Sequence, residues 1–133
     1  PLTLEEYWVL RAPFALHLGW IVCASAVNIN VLADASKAEP ATLLGMAILS
    51  FAAVLLIATL FAVLVRRPEP FLGLVAAWAL AAINSELTDA ESLNSPSRYN
   101  PYAWDGVTLS ALRFAAVGLA VAAGALAALA VAL

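Results

Sequence analysis

Charge is scarce in this chain: 11% of its 133 residues are Asp, Glu, Lys or Arg, and there is one cysteine, one histidine and one methionine. Each shortage excludes something. A lone cysteine, Cys23, can form neither an internal disulfide nor a multi-cysteine metal site. Six basic against nine acidic residues, with a net charge of −3, leave no basic stripe to neutralise phosphates, so nucleic acid is not an expected partner. There is no nucleophile with a partnered base, no phosphate-cradling glycine loop and no His–carboxylate pair at ligand spacing, so the pattern is not that of an enzyme. No charged-then-apolar signal pattern precedes the first apolar block, and the first residue is Pro1, so a targeting segment is expected either to have been removed or to lie before Pro1, which favours an imported organelle protein.

What the chain has in abundance is apolar side chains, 65% of all residues, with a mean hydropathy of +0.97. A soluble domain is closer to about 45–50% apolar and could not cover such a composition with polar surface. The expected fold is an all-α integral membrane bundle of about four transmembrane helices, forming a single membrane domain whose surface meets lipid.

The blocks divide as follows. Residues 1–12 carry Glu5, Glu6, Tyr7, Trp8 and Arg11, a mixture suited to an interfacial segment at headgroup level. Spans are expected at about 13–33, 42–65, 71–87 and 107–133. The second is free of charge and ends in Arg66, Arg67, Pro68, Glu69 and Pro70, a cationic helix end followed by breakers. The fourth stops without a polar tail, and the chain is expected to continue. Residues 88–106 form the longest connection, where Tyr99, Tyr102 and Trp104 read either as an aromatic belt or as a lid or docking loop. Basic residues divide evenly between the two sides; the arginine pair in a short loop favours termini inside.

The first span is the most informative. At about 100° per residue, Ala15, Gly19, Cys23 and Ala26 share a face on which another helix can approach closely. His17, Ile21, Ala24 and Asn28 lie nearly opposite. An intramembrane histidine is expensive unless satisfied. Either His17 reaches the interface or a nearby carbonyl, or its neutral imidazole serves as axial ligand to a tetrapyrrole metal, haem iron or chlorophyll magnesium. Asn84 and Glu86 read as a solvated helix cap or as polar ligands, and Trp78 as a packing aromatic or a ligand shelf. In the last span, Gly118, Ala122 and Ala125, and likewise Gly124 and Ala128, share faces expected to pack against a neighbour.

The stretch PFALHLGWIVCASAVNINVL at 13–32, followed by LVAAWALAAI at 74–83, resembles the tryptophan-rich sensory protein, or translocator protein, family. Pro13, Phe14, Leu18, Gly19, Trp20, Ile21, Ala24 and Asn28 carry the likeness in one helix, and Trp78, Ala79 and Ile83 in another. The resemblance implies a helical bundle with affinity for tetrapyrroles or sterol-like apolar ligands, with Trp20 and Trp78 near the ligand. The core members have five helices, more tryptophans and usually an aromatic at the position of His17.

Two functions follow from these readings. The first is a non-catalytic accessory subunit of a larger membrane complex, a photosystem or light-harvesting assembly of the plastid thylakoid, touching larger subunits and holding chlorophyll and carotenoid. The alternative is a stand-alone sensor or translocator for haem, another tetrapyrrole or a sterol-like ligand, in a mitochondrial or bacterial membrane. His17, Trp20, Asn28, Trp78, Asn84 and Glu86 are the candidate cofactor contacts, with His17 the candidate metal ligand.

Overall fold

A computed structural model describes residues 3–91 and 104–133, which form helices with no strand among them. A first turn, α1 (Leu4–Glu6), passes through a π-helical stretch at Tyr7–Arg11 into α2 (Ala12–Ala35). Then come α3 (Pro40–Thr59), a second π-helical stretch at Leu60–Leu64, α4 (Pro70–Glu91) and α5 (Gly106–Ala132). Four of the resulting helices are long and apolar enough to cross a membrane: Leu4–Ala35, Pro40–Leu64, Pro70–Thr88 and Gly106–Ala132. The start of α1, the end of α5 and the 65–69 turn lie at one end of the bundle, here the proximal end; the 36–39 turn and the start of α5 lie at the distal end.

The residues of the expected interfacial segment from Leu4 onward join the first span in one helix, Leu4–Ala35. Pro13 explains the π-helical stretch. Its nitrogen cannot donate to the carbonyl of Val9, and its ring would crowd that carbonyl in a regular α-turn. Widening the turn relieves the conflict, and Ala12 N–H donates to the Tyr7 carbonyl five residues back. Thr3 starts the helix with a capping box shared with Glu6.

The N-terminal stretch is tied to the bundle at the proximal end. Glu69 is buried, and its Oε1 accepts from the Tyr7 hydroxyl at 3.1 Å. Its Oε2 lies 2.8 Å from Arg11 Nε, an ion pair that lacks hydrogen-bond alignment. Arg11 also donates to the carbonyls of Arg67 and Pro68, while Tyr7 and Trp8 pack on Phe71. A buried carboxylate persists because it is paired in this way.

At the distal end α2 stops in a Schellman motif: Ala38 N–H donates to the Ala33 carbonyl and Lys37 N–H to that of Asp34. Lys37 takes the left-handed position, φ 56°, that glycine usually fills. Proline opens both α3 and α4, where its missing N–H costs nothing. Asp105 caps α5, accepting from the Thr108 N–H at 2.7 Å. The Thr108 hydroxyl and backbone N–H hold the Asp105 carboxyl below its ordinary range.

The most extensive contact is between α4 and α5. A Cβ added to Gly73 would stand 2.8 Å from the Ala123 carbonyl oxygen and 3.0 Å from the Ala127 Cβ, so only glycine permits this approach. The face that α5 buries is Leu112, Ala116, Ala123, Ala127 and Ala130. Gly118 and Gly124 lie off this face: a Cβ at either meets open space. Alanine recurs all round α5, so small residues alone do not point to the buried side. The four spans converge on Cys23, Val54, Ala58, Ala76 and Ala123. The third helix continues to Glu91, beyond the expected end near residue 87. Its polar residues are compatible with helix, and Thr88 Oγ1 donates to the Asn84 carbonyl at 2.8 Å. Tyr99 and Tyr102 lie outside the described residues.

Candidate functional site

The site begins where α2 and α4 come together. Gly19 faces Val75 so closely that an added Cβ would lie 3.1 Å from the valine Cβ. Just distal to this point the residues turn large. Trp20 and Trp78 meet with ring centroids 5.5 Å apart and planes 30° from parallel, within the range of favourable aromatic pairs. Bulky side chains hold helices apart where glycine and alanine let them close, and distal to the indole pair a cavity of about 690 Å³ opens between α2, α3 and α4.

Its inner wall is Trp20, Cys23, Val54, Trp78 and Leu80; Phe51 and Ala47 of α3 form one side. Its mouth at the distal end is bounded by Asp34, Leu43, Glu86, Leu109 and Trp104. Trp104 is fixed there by a 3.1 Å hydrogen bond from its indole N–H to the Pro40 carbonyl. The lining is predominantly apolar, with polar groups gathered towards the mouth, and the volume falls in the range of about 300–1,000 Å³ typical of small-molecule sites. Asn30 is committed to structure: its Nδ2 donates to Ser50 Oγ at 2.7 Å and to the Ala26 carbonyl at 2.8 Å, joining α2 to α3 beside the cavity. Asn28 makes no side-chain hydrogen bond among the described residues and lines the cavity.

The candidate residues are thus distributed over two places. Asn28 and Glu86 line the cavity. His17 does not; it is exposed in a shallow outer groove between α2 and α4, with Pro13, Leu16, Leu74 and Val75. Trp20 and Trp78 border both the cavity and the groove, standing as the partition between them. Asn84 borders neither. Among the described residues no group of three or more His, Cys, Asp or Glu could hold a metal ion. Sequence reasoning missed Asp34, Phe51, Val54 and Trp104 as cavity residues. Asp34 reads along the chain as the end of a span, and Phe51 and Val54 as parts of a uniformly apolar helix. Only the interleaving of Trp104 with polar residues signals a docking role.

Four apolar helices, closed tightly on one side and parted around a cleft on the other, define a polytopic helical membrane protein with a small-molecule-sized cleft between its helices. The chain belongs to the TSPO-like protein family, whose model matches residues 2–122. The likeness read from residues 13–32 and 74–83 therefore extends over most of the chain. Members of this family are generally non-enzymatic membrane proteins. No curated protein and no solved structure matches the chain.

Proposed function

We propose that this protein is a non-catalytic, membrane-embedded binding protein for a small apolar ligand, held in the cavity between α2, α3 and α4. One observation carries the reading: a largely apolar space of about 690 Å³ walled by the Trp20–Trp78 pair, with its charged groups, Asp34 and Glu86, at one end. Indole faces suit a planar or polycyclic body, and a few convergent polar groups fix its orientation. Membership of the TSPO-like family supports the same reading. The test is equilibrium titration of the purified chain in lipid nanodiscs with a neutral polycyclic probe, pyrenebutanol. One saturable site per chain, absent from empty discs, is the expected result. Uptake that rises linearly and equals partition into empty discs contradicts it.

A second reading rests on His17. Its imidazole lies in an open apolar groove flanked by Trp20 and Trp78, where a metal tetrapyrrole could approach from the lipid side. This favours an accessory subunit of a larger thylakoid complex that carries chlorophyll, and carotenoid, against its outer surface. Gentle extraction from the source membrane should then yield the chain in a large pigmented band, and His17→Leu should remove one pigment with the helices intact. An unchanged pigment count in that variant rejects His17 as the ligand.

A further inference from the structure

We propose, building on the cavity as a ligand site, that it selects a cationic amphiphile: an apolar body between the helices and an amine head at the distal mouth beside Asp34. The sign of the mouth decides this. Among the described residues lining the cavity, the charged ones are Asp34 and Glu86; none is Lys, Arg or His. Helix ends do not change the sign, because α2 and α4 end at this mouth while α3 and α5 begin there, and their dipoles oppose in pairs. Lys37 and Glu39 on the adjoining turn stand outside the lining and offset each other.

Asp34 is the group on which the preference rests. It sits on the last turn of α2, exposed, and its carboxylate has no ion pair or side-chain hydrogen bond among the described residues, even with Lys37 three positions on. Glu86 already interacts within the protein, so the preference is assigned to Asp34. Deeper in, the unengaged Asn28 offers an amide oxygen that can accept from an ammonium group or from a hydroxyl. A ligand bearing a carboxylate head would bring like charges together at the edge of a low-dielectric space, where they repel most strongly. The same mouth that draws an amine therefore rejects an acid.

The test uses three probes with one apolar body, pyrenebutylamine, pyrenebutanol and pyrenebutyrate, titrated into the chain in phosphatidylcholine nanodiscs and corrected for partition into empty discs. The amine is expected to bind about tenfold more tightly than the alcohol, with the acid weakest. Asp34→Asn should reduce the amine to the level of the alcohol, with unchanged helicity by circular dichroism verifying that the variant is folded. Asp34→Glu should restore the amine preference. Acid binding equal to amine binding overturns the proposal, as does an amine preference that survives Asp34→Asn. Absence of saturable binding for all three probes removes the cavity as a ligand site altogether, a failure distinct from binding without charge preference.

Discussion

The α4–α5 seam and the α2–α3–α4 wedge are built from the same few apolar residue types, yet one is closed and the other leaves an open cleft of about 690 Å³. The difference is side-chain volume at matched depths. Along the seam, Gly73 meets Ala123 and Ala127, and Ala116 and Ala123 are fully buried. In the wedge, the close approach of Gly19 to Val75 gives way to Trp20, Trp78 and Phe51, which part the helices. Without a hydrophobic force between helices in lipid, association depends on such close packing and on interhelical hydrogen bonds. The closed seam therefore acts as the frame, and the wedge, held at one point by Asn30 and Ser50, is the part able to accommodate a guest.

Substitution at Gly73 should break this contrast most severely. Gly73→Ala forces a shift of the Ala123 backbone and should destabilise the bundle by about 1–3 kcal/mol. Gly118→Ala, facing open space on the neighbouring helix, should stay within about 0.5 kcal/mol. Thermal unfolding of both variants in one detergent measures the gap, and equal losses would show that the seam is not closed at Gly73. A smaller effect is expected on the wedge. Asn30→Ala removes the tie to Ser50 and should cost about 0.6 kcal/mol, the average for hydrogen bonds between membrane helices. A loss as large as that of Gly73→Ala would make the wedge part of the frame.

The smallest effect is one of acidity at the start of α5. The Asp105 carboxyl titrates lower in the folded protein than in the unfolded chain, because the Thr108 hydroxyl and N–H favour its charged form. Its contribution is therefore present above the ordinary carboxylate range and fades as pH falls through the lowered folded value, below about pH 4. Asp105→Asn should flatten that part of a stability-against-pH curve, its small deficit against the wild type being present at neutral pH and closing in acid. A steeper acid limb in the variant would contradict the capping role.

The four spans were legible because runs of about 20 apolar residues bounded by prolines and charges leave few alternatives in a membrane. The close-packing face of α2 was legible too, since Ala15, Gly19 and Cys23 recur at helical spacing and are buried together. The buried face of α5 was not. Its small residues occur on every side, so the stripe through Gly118 and Gly124 is indistinguishable in sequence from the one through Ala116, Ala123 and Ala127 that α4 covers. The cavity was half legible. Trp20, Asn28, Trp78 and Glu86 were named, but Asp34, Phe51 and Trp104 join them only through the relative rotation of helices distant in sequence. His17, the most conspicuous residue of the first span, stands outside the cavity because it lies one turn proximal to the indole partition.

The most direct test of a ligand held in the wedge uses its own tryptophans. In a Trp8→Phe/Trp104→Phe background the remaining indoles are Trp20 and Trp78, and energy transfer from them to pyrenebutanol can be followed in nanodiscs with and without Ala47→Trp, which fills the cavity from α3. Because the filling residue adds a third indole, the quantity compared is the saturation curve and not the absolute emission. Saturable transfer at one probe per chain, weakened at least about tenfold by Ala47→Trp in a protein of unchanged helicity, is the predicted result. Transfer that never saturates, or that saturates identically in the filled variant, would place the probe in the surrounding lipid and contradict an occupied cavity.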